Sequence, residues 1–204
     1  MGTTPIYGFP YPDPSDLVAN YPAMGQELAE DIEAVLPTLG GLVPLASASP
    51  AASSSTIFDN LFSATYRQYI VAWTLVASAT GDFNFRLRSG SPAADDTSNN
   101  YTSQLLQANN TTLTGQKATA TSGRIGSLRT NATGSLIVIS NPNAALVTSM
   151  GTTSYADYAA GIVSDTLLRI DAMVMNTTTQ YTGITFTPST GNYTGRINIF
   201  GVKL

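Results

Sequence analysis

From residue 56 to the C-terminal end, short apolar-rich segments alternate with turn residues, and no segment has helical periodicity. The segment Asp82–Arg88 alternates apolar and polar side chains, which is the pattern of a β-strand with one buried face. Tyr69–Ala77 is apolar at both sets of alternate positions, which predicts a central strand covered on both sides. The chain is therefore predicted to be all-β, with an antiparallel jelly-roll-like β-sandwich over residues 57–204.

Seven further segments have strand character, and turn signals such as Asn-Pro-Asn and Thr-Gly-Asn separate them. They are Tyr101–Gln107, Arg124–Thr130, Ser135–Ser140, Thr153–Ala159, Leu167–Met175, Tyr181–Thr187 and Arg196–Val202. We expect the connections between them to be polar surface loops.

Eight of the eleven prolines precede residue 51, so the N-terminal quarter is expected to differ in structure from the strand-rich remainder. Proline lacks an amide donor and biases the preceding residue toward extended conformations, so residues 4–14 are predicted to form an extended arm. The arm carries Ile6, Tyr7, Phe9 and Tyr11. These side chains either dock on another protein or pack on the chain's own helix, and both interpretations stay open.

A short helix is predicted after the arm, with Pro22 in its first turn and Pro37 at its end. Its apolar stripe resembles a coiled-coil seam and consists of Met24, Leu28, Ile32, Val35 and Leu39. So short a seam is unstable alone, so the stripe needs a partner. Copies of the same helix are favoured over the chain's own sandwich, because residues 41–56 resemble a linker with one short strand at Leu42–Ala46. The predicted division is 1–40, 41–56 and 57–204.

The chain contains no cysteine and no histidine. Disulfides, thiolate metal sites, the Ser-His-Asp triad and the usual near-neutral general base are therefore absent. Residues 1–66 carry seven acidic and no basic side chains, and the remainder carries nine basic and six acidic ones without clustering. These features predict a non-enzymatic protein without cofactor or metal and without a nucleic-acid partner. No segment approaches the roughly 20 apolar residues of a membrane span, and no signal peptide is recognisable.

Two groups of polar residues are candidates for a metal site or an ion pair. Asp95, Asp96, Asn99 and Asn100 offer oxygen ligands in a long loop but lack EF-hand spacing, so a solvated loop is favoured over a calcium site. Arg169 and Asp171 lie two positions apart on a predicted strand, so they face the same way and are expected to form an ion pair.

Three loops are predicted to bind a ligand, namely Ser89–Tyr101, Gln107–Gln116 and Met175–Tyr181. Their amides and hydroxyls suit the hydroxyl groups of a host cell-surface glycan, with Tyr101 and Tyr181 as stacking faces. We expect the recognition loops to lie farthest from residues 41–56, because the N-terminal arm occupies the opposite side. The alternative is that each loop is only a solvated turn.

The opening residues Ile6–Asp16 and the acidic helix resemble the N-terminus of tail-fibre and minor tail proteins of phages that infect actinobacteria. Residues 57–66, the strand through Trp73, residues 84–89 and the C-terminal residues 183–202 are similar to the β-sandwich of the same proteins.

The resemblance implies a trimeric appendage on the virion surface, assembled in the host cytoplasm, with the arm binding other virion proteins and the sandwich facing outward. It supplies no catalytic residue. The predicted function is a tail-fibre or minor-tail structural protein for host attachment. A capsid head fibre or decoration protein is the alternative, and a small carbohydrate-active enzyme or lectin is the alternative from another class.

Overall fold

The structure, a computed structural model, describes residues 2–3, 10–11, 21–35, 41–109, 112–157 and 166–203. The chain divides into two compact units, one made of Met1–Gly41 with Lys203–Leu204 and the other of Leu42–Val202. No helix among the described residues is long and apolar enough to cross a bilayer.

The N-terminal unit contains two short strands and the predicted helix. Strand β1 (Gly2–Thr3) pairs antiparallel with β2 (Pro10–Tyr11), and helix α1 spans Tyr21–Val35 with Pro22 in its first turn. Tyr11 and Ile32 are exposed, and Leu28 is half-buried. The predicted docking residues Ile6, Tyr7 and Phe9 lie outside the described residues, as do Leu39 and the side chains of Met24 and Val35.

Thirteen strands are described from Gly41 onward, and each is bounded by the turn residues that the sequence shows. They are β3 (Gly41–Ala48), β4 (Thr56–Phe58), β5 (Gln68–Ala77), β6 (Gly81–Ser89), β7 (Ala94–Asp95), β8 (Tyr101–Asn109), β9 (Thr112–Ala120), β10 (Gly123–Leu128), β11 (Thr133–Ser140), β12 (Ser149–Asp157), β13 (Thr166–Met175), β14 (Gly183–Pro188) and β15 (Tyr193–Lys203).

These strands form two sheets. The eight-stranded sheet has the order β3-β15-β5-β11-β12-β13-β8-β9, and the five-stranded sheet has the order β10-β6-β14-β4 with β7 beside β6. The pairs whose registers are defined are antiparallel. The chain passes repeatedly from one sheet to the other, as at β5 to β6 and β9 to β10. This arrangement confirms an all-β structure of two antiparallel sheets.

The hydrophobic core lies between the sheets and is rich in aromatic rings. Trp73 of the eight-stranded sheet contacts Phe83 of the five-stranded sheet, with ring centroids 5.0 Å apart, and Phe83 stacks on Phe186 at 5.6 Å. All three rings are almost completely buried. Alternation therefore points one set of side chains of β5 and of β6 into this core.

Two sequence predictions about the strands need correction. Tyr69–Ala77 is the central strand β5, but only one of its faces is covered, since Thr74 and Val76 are exposed. Residues 41–56 do not form a separate linker. The predicted short strand extends to Gly41–Ala48 and lies beside β15, and Ser53 then exchanges backbone hydrogen bonds with Tyr193.

Candidate functional site

Four connections between strands meet at one end of the sandwich, and we call this region the loop end. Backbone hydrogen bonds join them: Asn141 N donates to Arg67 O at 2.7 Å, Tyr181 N to Pro142 O at 2.8 Å, and Asn176 N to Asn100 O at 2.9 Å. The connections are residues 59–67, 90–100, 141–148 and 176–182. Because each is bonded to another, the backbones of the four connections hold one another in place.

The predicted ligand loops do not share one end. Two of them, Ser89–Tyr101 and Met175–Tyr181, belong to the loop end, whereas Gln107–Gln116 lies largely in the β8–β9 hairpin at the other end. The prediction that the recognition loops lie farthest from residues 41–56 does not identify one end of the sandwich either. Pro50 and Ser53 bond to the start of β15, so β3 runs back along β15 and brings Leu42 to the loop end.

Asp95, predicted to face a ligand, is instead bound to the five-stranded sheet. Arg88 Nη1 donates to Asp95 Oδ1 at 2.5 Å, and Arg88 Nε donates to Asp59 Oδ1 at 2.6 Å. The hydrogen bond that Arg88 donates to Asp59 is the largest influence that raises the pKa of Arg88. Arg88 of β6 therefore binds connections 59–67 and 90–100 through their carboxylates, and Asp95 is engaged in this structural contact.

Tyr101 and Tyr181 are buried, so the prediction that they offer stacking faces is wrong. Tyr181 Oη donates to Asp96 Oδ2 at 2.6 Å, and Tyr101 Oη donates to the backbone oxygen of Asp96 at 3.1 Å. Burial is the main reason why the pKa of each phenol is raised, so both stay neutral donors. Asn99 remains exposed and Asn100 half-buried.

Hydrogen bonds decide the charge state of Asp96. Burial by itself would raise its pKa, but the hydrogen bonds from Tyr181 and Ser98 favour the carboxylate, so the pKa is lowered. The carboxylate therefore stabilises the loop end at neutral pH.

Replacing Tyr181 by phenylalanine is expected to lower the free energy of unfolding by about 1–2 kcal/mol at pH 7, because a hydrogen bond to a charged acceptor is lost. A carboxyl with a lowered folded-state pKa stabilises the protein above its unfolded pKa of about 3.9, and this contribution disappears as pH falls through the folded value. The difference between wild type and variant should therefore shrink below pH 4 in urea unfolding. Tyr66→Phe is the control, since its hydroxyl has no hydrogen-bond partner among the described residues. An equal loss in both variants would contradict the role of Asp96.

A cleft of about 470 Å³ opens at the loop end, between connections 59–67, 141–148 and residue 180. Its described lining mixes polar with apolar side chains and contains one cation and no acidic side chain. The lining residues are Ser63, Ala64, Tyr66, Arg67, Asn141, Asn143, Ala144, Ala145, Leu146 and Gln180. A concave site of this size falls in the range of small-molecule pockets.

Arg67 differs from the other arginines of the chain. Six of the seven make a side-chain hydrogen bond or ion pair, and within the described part of the chain Arg67 makes none. The six are Arg86, Arg88, Arg124, Arg129, Arg169 and Arg196. Arg67 is exposed and lines the cleft, so its guanidinium is available to a ligand.

A second surface stands out on the side of the eight-stranded sheet that faces away from the core, and we call it the outer face. Its outward positions from β5 to β8 include exposed aliphatic side chains at 41–60 % of full exposure, namely Val76, Leu106, Leu136, Val138, Ile170 and Val174. The register places Leu136 opposite Ala72, and Gly151 opposite both Val138 and Ala172. A shallow depression of about 1030 Å³ lies there.

None of the described outward side chains between β5 and β8 is charged, and the exposed Arg196 of the neighbouring strand β15 lines one side of the depression. A contiguous exposed apolar surface of this kind marks an interaction site in soluble proteins.

Comparison with protein-family models, curated proteins and solved structures gave no match to this chain. Proposals about its function therefore rest on the geometry of the loop end and the outer face.

Sequence reasoning missed the cleft. Asn-Pro-Asn at 141–143 was recognised as a turn, but nothing local connects it with Tyr66, Arg67 or Gln180. These residues come together only through the pairing of β11 with β5 and through the bond between Tyr181 N and Pro142 O.

Proposed function

We propose that this protein is a non-enzymatic structural component of a bacteriophage virion, of tail-fibre or minor-tail type. Copies associate through the outer face, and the sandwich is displayed for attachment to the host. The observation that carries the association of copies is the run of exposed aliphatic side chains on the outer face between β5 and β8, because a chain that works alone has no need to expose so many of them on one sheet.

The occupant that best fits the outer face is a second copy of this chain. Five strands spaced about 4.8 Å apart and about nine residues long present roughly 700 Å². That area is close to the roughly 800 Å² per partner of a standard protein interface. Each copy would contribute the part of its outer face between β5 and β8, where the described outward side chains are uncharged, so that part can be buried without leaving a charge of its own unpaired.

Strand β9 supports the same proposal. All nine of its residues are exposed, although a strand in a sandwich ordinarily buries one face. Leu113 is the most exposed of its apolar side chains, at 67 %. Leu113 therefore offers one further apolar contact at the edge of the outer face.

The N-terminal unit is proposed to attach the protein to the virion through its Pro-rich arm, with Tyr11 and its neighbours as docking residues. The exposed Ile32 and half-buried Leu28 leave part of the helical stripe available, so α1 is proposed to help set the number of copies, with a trimer expected. The repeated passage between the two sheets supports a jelly-roll-like connection of the strands.

The non-enzymatic part of the proposal has support from the site chemistry. Asp171, whose pKa burial raises, is only 3 % exposed and is bound to Arg169, so substrate has no access to it.

Immunogold electron microscopy tests the virion role. Antibodies against the purified protein are expected to label the tail of intact phage particles that carry this gene, and pre-immune serum is the control. Labelling of the head would favour the alternative of a capsid fibre or decoration protein. Absence of label, together with absence of its peptides from purified particles by mass spectrometry, would contradict the proposal.

A further inference from the structure

We propose that the cleft at the loop end binds a saccharide that carries an oxyanion, a carboxylate or a phosphate, and that Arg67 is the residue that binds the anionic group. The choice of a saccharide rests on the proposed role in host attachment. The choice of an anion rests on the cleft alone.

The charge of the cleft is the first argument. Arg67 is a guanidinium with five donors, and its planar fork matches the geometry of carboxylate and phosphate groups. None of the described residues that line the cleft is acidic, so no neighbour neutralises it. The other arginine of the loop end, Arg88, is by contrast held by Asp59 and Asp95.

Two side-chain amides of the cleft are held by hydrogen bonds that leave their oxygens free to accept from the hydroxyls of a sugar. Asn143 Nδ2 donates to Tyr181 O at 2.8 Å, so its Oδ1 remains to accept. Gln180 Nε2 donates to Asn143 O at 3.4 Å and leaves its Oε1 in the same way. A site with acceptors beside one cation recognises hydroxyl donors and an anion on the same ligand.

The cleft also has a fixed apolar wall. The half-buried ring of Tyr66 packs edge-on to Tyr69, with centroids 6.0 Å apart, and lies over Gly201, where an added Cβ would come within 2.7 Å of the ring. The exposed Leu146 lies on the lining too. Because Asn141 N bonds to Arg67 O, the backbone that carries the cation is fixed as well. A pre-formed site of this kind loses little entropy on binding.

Titration of the isotope-labelled full-length protein by NMR tests the proposal with three probes. Trigalacturonate carries carboxylates, glucose 1-phosphate carries a phosphate, and galactotriose is uncharged. At least one anionic probe is expected to shift the signals of Arg67, Asn143 and Gln180, and the neutral probe should bind more weakly. Arg67→Gln should weaken that binding by about tenfold or more, because a charge-assisted hydrogen bond is lost.

Lys117→Gln is the matched control, since it removes one positive charge from the exposed strand β9 and should change affinity by less than about twofold. The anionic probe that binds identifies the source of the oxyanion. Absence of binding by all three probes, or equal weakening in both variants, would overturn the proposal.

The molar mass of the same samples separates this inference from the proposed function. An intact oligomer that binds no saccharide would refute only the inference. A monomer that binds with dependence on Arg67 would refute only assembly through the outer face.

Discussion

Replacing Arg169 by methionine is expected to lower the free energy of unfolding by about 3–5 kcal/mol, because the buried carboxylate of Asp171 is left without its partner. Arg169 Nε donates to Asp171 Oδ2 at 2.5 Å and Arg169 Nη2 donates to Asp171 Oδ1 at 3.1 Å. Both side chains are 2 % exposed, so water does not replace the lost bonds.

Two neighbouring groups extend this pair across the gap between the sheets. Asp82 of β6 lies 3.6 Å from Arg169 Nη1 and 3.3 Å from Arg124 Nη1 of β10. Asp82 is 40 % exposed, so it stays hydrated when Arg169 is removed. The main cost of the substitution therefore arises at Asp171.

Urea unfolding at pH 7 measures the effect. Arg196→Met is the control, because this exposed arginine of β15 bonds only to Asn198 among the described side chains, and the change should cost less than about 0.5 kcal/mol. The double variant Arg169→Met/Asp171→Leu should recover most of the loss, since it removes both buried charges. A small effect of Arg169→Met, equal to that of Arg196→Met, would show that Asp171 finds another partner.

Strand alternation made the sandwich predictable from the sequence, and it predicted this ion pair as well. Arg169 and Asp171 face the same way because side chains two apart on a strand do so. The nine segments predicted between residues 69 and 202 all overlap strands, and those such as β5 and β6 have a set of alternate residues that the two-sheet core buries.

Strand β9 was missed for the complementary reason. Thr112–Ala120 is rich in Thr, Gly and Ala, with a central Gln-Lys pair, and every position is exposed. The segment therefore lacks the alternation of apolar and polar residues that predicts a strand. Its extended form comes from pairing with β8, which is a property of the hairpin. The sequence therefore predicted a loop at Gln107–Gln116.

The candidate sites were less predictable than the fold. The polar residues around Tyr101 and Tyr181 in the sequence predict surface rings, yet both phenols turn inward and donate hydrogen bonds to Asp96. The sequence did not reveal the outer face. Tyr69–Ala77 is apolar on both faces of the strand, and this pattern does not tell whether the face opposite the core is covered by the same chain or by another copy.

Placing lysine at both Leu136 and Ile170 is expected to separate the associated copies, because the two charges would have to be buried without partners in the interface. Leu136 is 60 % exposed and Ile170 is 44 % exposed in the single chain, so neither change should disturb the fold. The expected loss of affinity between copies is a thousandfold or more, on the order of two unpaired buried charges. Leu146→Lys is the matched control, since this leucine is 50 % exposed but lies at the loop end.

Light scattering coupled to gel filtration of the full-length protein tests the outer-face interface most directly. The wild type and Leu146→Lys should elute with the mass of an oligomer, and Leu136→Lys/Ile170→Lys should elute with the 21.4 kDa mass of one chain while keeping its unfolding midpoint. An outer-face variant that keeps the wild-type oligomer mass, while a Leu28→Lys/Ile32→Lys helix variant becomes monomeric, would contradict this account.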